Sequence, residues 1–185
     1  VNETSAAEER ELIRQFLEGD RCAFNKLMKA SQARVYGLVL GMMGDPDTAS
    51  DITQDAFLRA FRSLHRFRGN SRFSTWVHKI AVNLCLSELR KAKVRQSLSM
   101  DSISQRLLPF IGNPLKEQEQ TEVAQAIENA IHKLPPRQKA VFLLRNKEEL
   151  SFAEIAGILK RSEGALRASY FQAIRKLRKE LKDHE

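Results

Sequence analysis

An all-α fold follows from three features of this 185-residue chain. Leucine and alanine, at 22 and 19 residues, far outnumber the β-favouring valine and threonine, at 8 and 5. Only 8 glycines and 5 prolines punctuate the sequence, few for the many turns of a β-fold. Apolar residues recur at helical spacing through most of it, and the longest break is residues 96–121. The expected architecture is two small helical domains, residues 1–95 and 121–185, joined by a flexible linker over 96–120. A chain of this length can bury a core without disulfide or metal staples.

The elements have local signatures. Ser5 and Glu8 form a capping-box pattern ahead of Leu12, Ile13, Phe16 and Leu17, and Gly19 can end that helix. Asp20 can cap a second helix running through Phe24, Leu27, Met28, Val35, Leu38, Val39 and Met42 to Gly44. Asp45-Pro46 is a cap followed by a first-turn proline, opening a third helix to about His65 with Ala49, Ile52, Ala56, Ala60 and Leu64 inward. Residues 66–71 break the pattern, with Gly69-Asn70 as a turn signal. A fourth helix is expected from about Phe73 to Arg95, with Trp76, Ile80, Leu84 and Leu89 near one face.

Residues 96–121 hold Pro109, Gly112 and Pro114 without sustained periodicity, with room for one short helical turn around Ile103–Leu108. Helical spacing returns with Val123, Ala124, Ile127, Ile131 and Leu134, and restarts at Pro135-Pro136 with Ala140, Val141, Leu143 and Leu144 inward. Ser151 and Glu154 form a second capping box, ahead of a short helix over Phe152–Leu159. Lys160-Arg161-Ser162 is a turn, and Ser162 can cap a last helix from Glu163 to about Leu181. That pair has the spacing of a helix-turn-helix, with Ala156 at the crossing and Ile155, Ile158, Leu159, Leu166, Ile174 and Leu177 as shared core. Lys160 stands where the turn often has glycine, at a cost of about 1 kcal/mol if it adopts the left-handed conformation.

Charge narrows the function. The net charge is +8, but residues 1–20 carry −4 while 63–95 carry +7 and 151–185 carry +3. Two separate positive patches suit a polyanion, of which nucleic acid is the commonest; solvation of helix faces is the plainer reading of the same charges. No apolar run approaches the ~20 residues of a membrane span, and the acidic start is unlike a signal peptide. Cys22 and Cys85 form no CxxC and are expected as buried apolar fillers in a reduced, cytoplasmic protein. His65, His78, His132 and His184 form no cluster with carboxylates, and no GxxxxGK[ST] loop occurs, so neither catalytic residues nor a cofactor are expected. Asp45, Asp47, Asp51 and Asp55 lie in an ordinary helix opening without histidine at ligand spacing, which argues against a metal.

The segment SLHRFRGNSRFSTWVHKIAVNLCLSELRKAKVR combines eight Lys or Arg with Phe67, Phe73 and Trp76. Basic residues bind phosphates, and aromatic faces stack on unpaired bases. The loop Arg68–Arg72, with Asn70 and Ser71 as hydrogen-bonding groups, has the size to hold an extruded base. Phe73 and Trp76 also stand at helical spacing and fit a core; one face of Trp76 can serve both purposes.

Two blocks, DITQDAFLRAFRSLHRFRGNSRFSTWVHKIAVN and LPPRQKAVFLLRNKEELSFAEIAGILKRSEGALRAS, resemble the extracytoplasmic-function group of bacterial sigma factors. The resemblance covers roughly residues 10–95 and 121–182. It implies region 2 over 1–95, a linker over 96–120 and region 4 over 121–185, without the long central domain of housekeeping sigma factors. It implies a non-catalytic subunit with core RNA polymerase, promoter DNA and an anti-sigma factor as partners, no small-molecule substrate and no membrane insertion. Polymerase docking would fall to Asp51, Gln54, Asp55, Leu58 and Arg59. Capture of a flipped −10 base would fall to Arg68, Gly69, Asn70, Ser71 and Arg72, with Phe73, Trp76, Lys79, Asn83, Arg90 and Lys91 around it. The −35 duplex would be met by Ser162, Gly164, Arg167, Ala168, Phe171, Gln172, Arg175 and Lys176. Here Ala168, Ser169 and Gln172 replace the Ser/Arg/Arg types common in the family, so its −35 sequence does not transfer.

Two other readings compete. A free-standing helix-turn-helix regulator leaves the central block and the acidic helix unused. An enzyme acting on nucleic acid lacks a catalytic cluster.

Overall fold

The computed structural model describes residues 5–98 and 122–182. The expected turn around Ile103–Leu108 lies outside the described residues. The described chain is helical: α1 (Ala6–Leu17), α2 (Arg21–Met43), α3 (Pro46–Ser63), a single 3-10 turn (Leu64–Arg66), α4 (Phe73–Leu98), α5 (Glu122–His132), α6 (Pro136–Asn146), α7 (Phe152–Leu159) and α8 (Glu163–Lys182).

The caps fix these boundaries. The Ser5 hydroxyl accepts from the Glu8 N–H while the Glu8 carboxylate accepts from the Ser5 N–H, so two orphan donors of α1 are satisfied reciprocally. The bond also holds the Glu8 carboxyl below its usual pKa. Asp20 caps α2 through the Cys22 N–H, and Asp45 caps α3 through the Thr48 N–H at 2.7 Å. Gly44 closes α2 with φ +80, a left-handed conformation that a Cβ would strain. Ser151 and Glu154 repeat the capping box at α7. Lys160 takes the left-handed conformation (φ 52, ψ 53) that the turn requires. The fourth helix outruns its expected end and continues to Leu98.

α1 to α4 pack around α2, burying Phe24, Leu27, Val35, Leu38, Val39 and Met42 of α2 against Ala49, Ala56, Phe57 and Ala60 of α3. Phe24 meets Phe61 and Phe73 edge-on, with centroids 5.1 and 6.0 Å apart, an arrangement that aromatic quadrupoles favour. The wholly buried side of α4 is Phe73, Val77, Ala81, Val82 and Cys85. Trp76, Ile80, Leu84 and Leu89, expected on or near one face, are partly buried and pack against the same core. α5, α6 and α7 pack on α8, with Ala130, Leu134, Ala173 and Leu177 as their own small core. The two helical units also share one continuous core, because α5 and α6 contact α2 while α6 and α7 contact α4.

Of the two cysteines expected to be buried, only one is. Cys85 is buried, and burial pushes its thiol pKa up to about 12, whereas Cys22 is exposed. Cys22 occupies the first turn of α2, beside the buried Ala23 and Phe24.

Candidate nucleic-acid interface

The loop between the 3-10 turn and α4 leaves Arg68, Gly69, Asn70, Ser71 and Arg72 exposed. Gly69 makes the turn with φ +70 and open space around its Cα, so a base can approach the backbone closely. Both ends of the loop are pinned. On one side Phe67 packs on Trp76 with ring centroids 5.2 Å apart. On the other, the Phe73 N–H donates to the Glu9 carboxylate at 3.2 Å and Arg72 pairs with the same group at 3.1 Å. Glu9 of α1 therefore serves as the side-chain cap of α4, a role that sequence spacing cannot reveal across 64 positions.

Phe73 is corrected as a contact residue. Its side chain is 1% exposed and packs against Phe24 and Trp76, so its ring has no face left for a base. Trp76 is half-buried and keeps part of its surface, consistent with the dual role considered above.

Further along α4, Asn83 and Lys91 line a groove with Asp55 and Arg59 of α3. Asp55 and Arg59 pair within α3 at 3.0 Å, an exposed i,i+4 bridge of small energetic worth. Lys91 and Arg95 meet Glu88 at 3.5 and 3.0 Å; the Arg95 bond leads the effects that lower the Glu88 pKa. Asp51, Gln54 and Leu58 face outward on α3. Gln54 and Leu58 reach another groove, between α2 and α3, of about 650 Å³, where Phe24, Met28 and Phe57 lie among Asn25, Gln32 and Thr53. The five α3 residues expected to dock a partner thus divide between two grooves, with Asp51 outside the linings of both.

In the second unit, Ser162 just before α8 and Gly164, Arg167, Ala168, Phe171, Gln172, Arg175 and Lys176 along it are all exposed. Phe171 is 68% exposed, unusual for a phenylalanine on a helix with its own core. Arg167 pairs with Glu163 at 3.3 Å and stacks over Phe152 at 4.8 Å, which holds its guanidinium at the rim of α7. Gln172 accepts a bond from Gln138 at 2.9 Å.

Where the units meet, Arg34 of α2 pairs with Glu148 of the α6–α7 connection at 3.1 Å. Glu148 is 3% exposed; burial raises its pKa while Arg34 pulls it down. His78 Nε2 lies 3.4 Å from the same carboxylate, but neither ring nitrogen completes a hydrogen bond. Burial, reinforced by Arg34, lowers the His78 pKa to about 3, so the imidazole is neutral and the contact is not an ion pair. Lys139, also buried, donates to the Met42 carbonyl at 3.3 Å, and burial lowers its pKa to about 8. None of these interfacial groups stood out in the sequence. Nearby, Asn83, Ser87 and Arg90 of α4 and Arg137, Arg161 and Ser169 of the second unit line a cleft of about 440 Å³ without a carboxylate in its lining. Among the described residues no group of His, Cys, Asp and Glu is placed to hold a metal ion, and no helix is long and apolar enough to cross a membrane.

Comparison with known proteins bears directly on these surfaces. Residues 27–95 match the model of Sigma-70 region 2, and residues 124–177 match that of Sigma-70, region 4. The ECF RNA polymerase sigma factor SigW of Bacillus subtilis is 31% identical over 92% of this chain and 95% of its own. The ECF RNA polymerase sigma-E factor of Escherichia coli is 33% identical over 88% of each chain. Among solved structures, the fold resembles the sigma factor RpoE in complex with the anti-sigma factor NepR from Bartonella quintana. That likeness has a TM-score of 0.72 at 19% identity and covers 86% of this chain and 96% of that one. CnrH in complex with the cytosolic domain of CnrY is also similar, with a TM-score of 0.70 at 20% identity over 96% and 99% of the chains.

Proposed function

The chain belongs to the extracytoplasmic-function RNA polymerase sigma factors, and on that footing we propose how its surfaces divide the work of promoter-specific initiation. α3 docks on core RNA polymerase through Asp51, Gln54, Asp55, Leu58 and Arg59. The groove beside Gln54 and Leu58, part aromatic and part amide, takes an amphipathic part of the partner, and Asp51 meets basic residues. The loop Arg68–Arg72 receives a base extruded from the −10 element, with Trp76 beside it and Asn83 reading a neighbour. Lys79, Arg90 and Lys91 hold phosphates, which add affinity without sequence preference. Extrusion costs a few kcal/mol, which a preformed loop offsets more readily than a mobile one. α8 enters the major groove of the −35 duplex with its N-terminal turns, from Ser162 and Gly164 through Arg167, Ala168, Phe171 and Gln172, while Arg175 and Lys176 follow the backbone.

The observation that carries this reading is the groove shared by Asp55 and Arg59 of α3 with Asn83 and Lys91 of α4. Polymerase docked on α3 is thereby adjacent to the strand held on α4, so recruitment and strand capture occur on one scaffold. The protein is a specificity subunit with no chemistry of its own and works in the cytoplasm. The solved relatives bound to NepR and to the cytosolic domain of CnrY favour an anti-sigma factor as a further partner.

Run-off transcription on a promoter library tests the proposal. Core polymerase with this chain is expected to initiate from a defined subset of sequences. Initiation no more selective than that of core alone defeats it.

A further inference from the structure

We propose that the arginine-lined cleft beside α4 binds a nucleoside polyphosphate, with Arg90, Arg137 and Arg161 on its phosphates and an apolar floor beneath its base. The site is independent of the promoter-reading roles given above, apart from sharing Asn83 and Arg90 with them.

Three elements supply the cations. Arg90 ends a row with Asn83 and Ser87 at helical spacing on α4, Arg137 is the second residue of α6, and Arg161 lies in the connection from α7 to α8. Among the described residues, none of these three side chains makes an ion pair or a hydrogen bond. The acidic groups near them in sequence are engaged elsewhere: Glu88 holds Lys91 and Arg95, and Glu163 holds Arg167. The first turns of α6 and α8 reach the cleft through Arg137 and Ala165, so the positive ends of two helix dipoles add to its field. Like charges gathered around a concavity repel one another and focus their field on an entering anion.

Size and lining set the ligand class. The cleft measures about 440 Å³, within the ~300–1,000 Å³ of small-ligand sites and far more than one phosphate group fills. Its floor is apolar: Val141 and Leu166, 1% and 2% exposed, lie there with Leu86 and Leu159. Asn83, Ser87 and Ser169 add an amide and two hydroxyls, which can donate to and accept from the edges of a base and a ribose. The arginine fork matches phosphate oxygens bidentately, and three forks suit a chain of phosphates better than a single one. An inorganic anion would leave the floor unused, and a neutral apolar ligand would leave the guanidinium groups without counter-charge. A nucleoside polyphosphate uses both.

Asn83 and Arg90 cannot hold a nucleotide and the −10 strand at once, so the two ligands compete for them. Arg137 and Arg161 have no part in the promoter contacts assigned above. Substitutions at these two positions therefore report on the nucleotide alone.

The test is calorimetric titration of the full-length protein with ATP, GTP, pyrophosphate, adenosine, guanosine and an oligothymidine of about ten nucleotides. ATP or GTP should bind saturably, one per chain, and more weakly as salt is added. Pyrophosphate and the nucleosides should each bind at least tenfold more weakly than the better nucleotide, because each meets only part of the cleft. Arg137→Ala and Arg161→Ala should each weaken nucleotide binding about tenfold, the low end for a charge-assisted bond at an exposed site, with unchanged circular dichroism. Arg161→Lys should recover part of the loss, since it restores the charge without the fork. No saturation at millimolar nucleotide, pyrophosphate binding as tight as nucleotide, or affinity unmoved by both alanine variants would each overturn the proposal. Oligothymidine binding that is tighter than nucleotide binding and equally dependent on Arg137 and Arg161 would overturn it too, by making the cleft part of the strand path. Run-off transcription with core polymerase tests the sigma-factor reading separately. Selective initiation without nucleotide binding rejects the site alone, and unselective initiation with variant-sensitive nucleotide binding supports the site and rejects the promoter-reading roles.

Discussion

Glu9 caps a helix that begins 64 positions later: its carboxylate accepts the Phe73 N–H at 3.2 Å while holding Arg72 at 3.1 Å. One acidic side chain on α1 thus sets the far end of the loop proposed to receive a base. Glu9→Ala should cost about 1 kcal/mol of stability, the usual worth of a lost side-chain cap. Thermal unfolding measures that loss. Open-complex formation on duplex promoters should fall further than affinity for core polymerase, and equal loss of both would leave Glu9 a purely structural role.

Asn70 is exposed at the loop tip and has no part in the core. Asn70→Ala should leave stability unchanged and weaken initiation on duplex templates roughly tenfold, within the ~1–3 kcal/mol of a good base contact. Initiation on a template already unpaired at −10 should depend on the same contact, whereas polymerase affinity should not. An unchanged initiation rate would remove Asn70 from base recognition.

Reversing the acidic side of α3 tests docking. Asp51→Arg with Asp55→Arg sacrifices only the exposed Asp55–Arg59 pair, so unfolding should shift little. Affinity for core polymerase should drop at least a hundredfold, the result of about 3 kcal/mol lost when favourable charge pairs become repulsive. Wild-type affinity in competition binding would move the docking surface elsewhere.

Acid should destabilise the fold through histidines that burial keeps neutral. His78 is held to about 3 and His132 to about 4, each from an ordinary 6.5, by burial first and then by Arg34 and Lys139 respectively. Below pH 6.5 the unfolded chain takes up protons that the folded chain refuses, so stability is greatest above that value and declines as pH falls. For His78 alone the slope approaches about 1.4 kcal/mol per pH unit. Glu148 works the other way: its raised pKa means that the folded chain binds its proton first, which softens the decline just above 4.5. Thermal midpoints from pH 7.5 to 5 should fall less steeply in His78→Leu than in the wild type. Parallel curves would mean that His78 titrates normally.

The helix boundaries were legible because caps are local chemistry. Ser5, Asp20, Asp45 and Ser151 each satisfy an N–H two or three residues ahead, and no distant contact is needed to read them. The face of α4 named in the sequence does pack on the core, but the more deeply buried Phe73, Val77, Ala81, Val82 and Cys85 were not picked out with it. That helix is covered by α2 and α3 on one side and by α6 and α7 on another, so it carries two apolar stripes where one was sought. Glu148 and His78 were silent because burial of a polar side chain depends on a neighbour far along the chain, here Arg34 at a separation of 114 positions. Gly37 and Gly41 carried no signal in the sequence, because the side chains that lie on them, those of Lys147 and Leu143, come from far along the chain. Of the candidate site, the exposed loop and the face of α8 matched their expected accessibility, and Phe73 did not.

The contrast between the two thiols has a practical reach. Cys85 is sealed in the interior and Cys22 stands at the surface at the head of α2. A maleimide dye added to the native protein will mark a single known position, two residues from Phe24 in the lining of the groove proposed to receive polymerase. The unaltered chain therefore arrives with its own reporter anchor, and watching it join a transcription complex in real time requires no engineering.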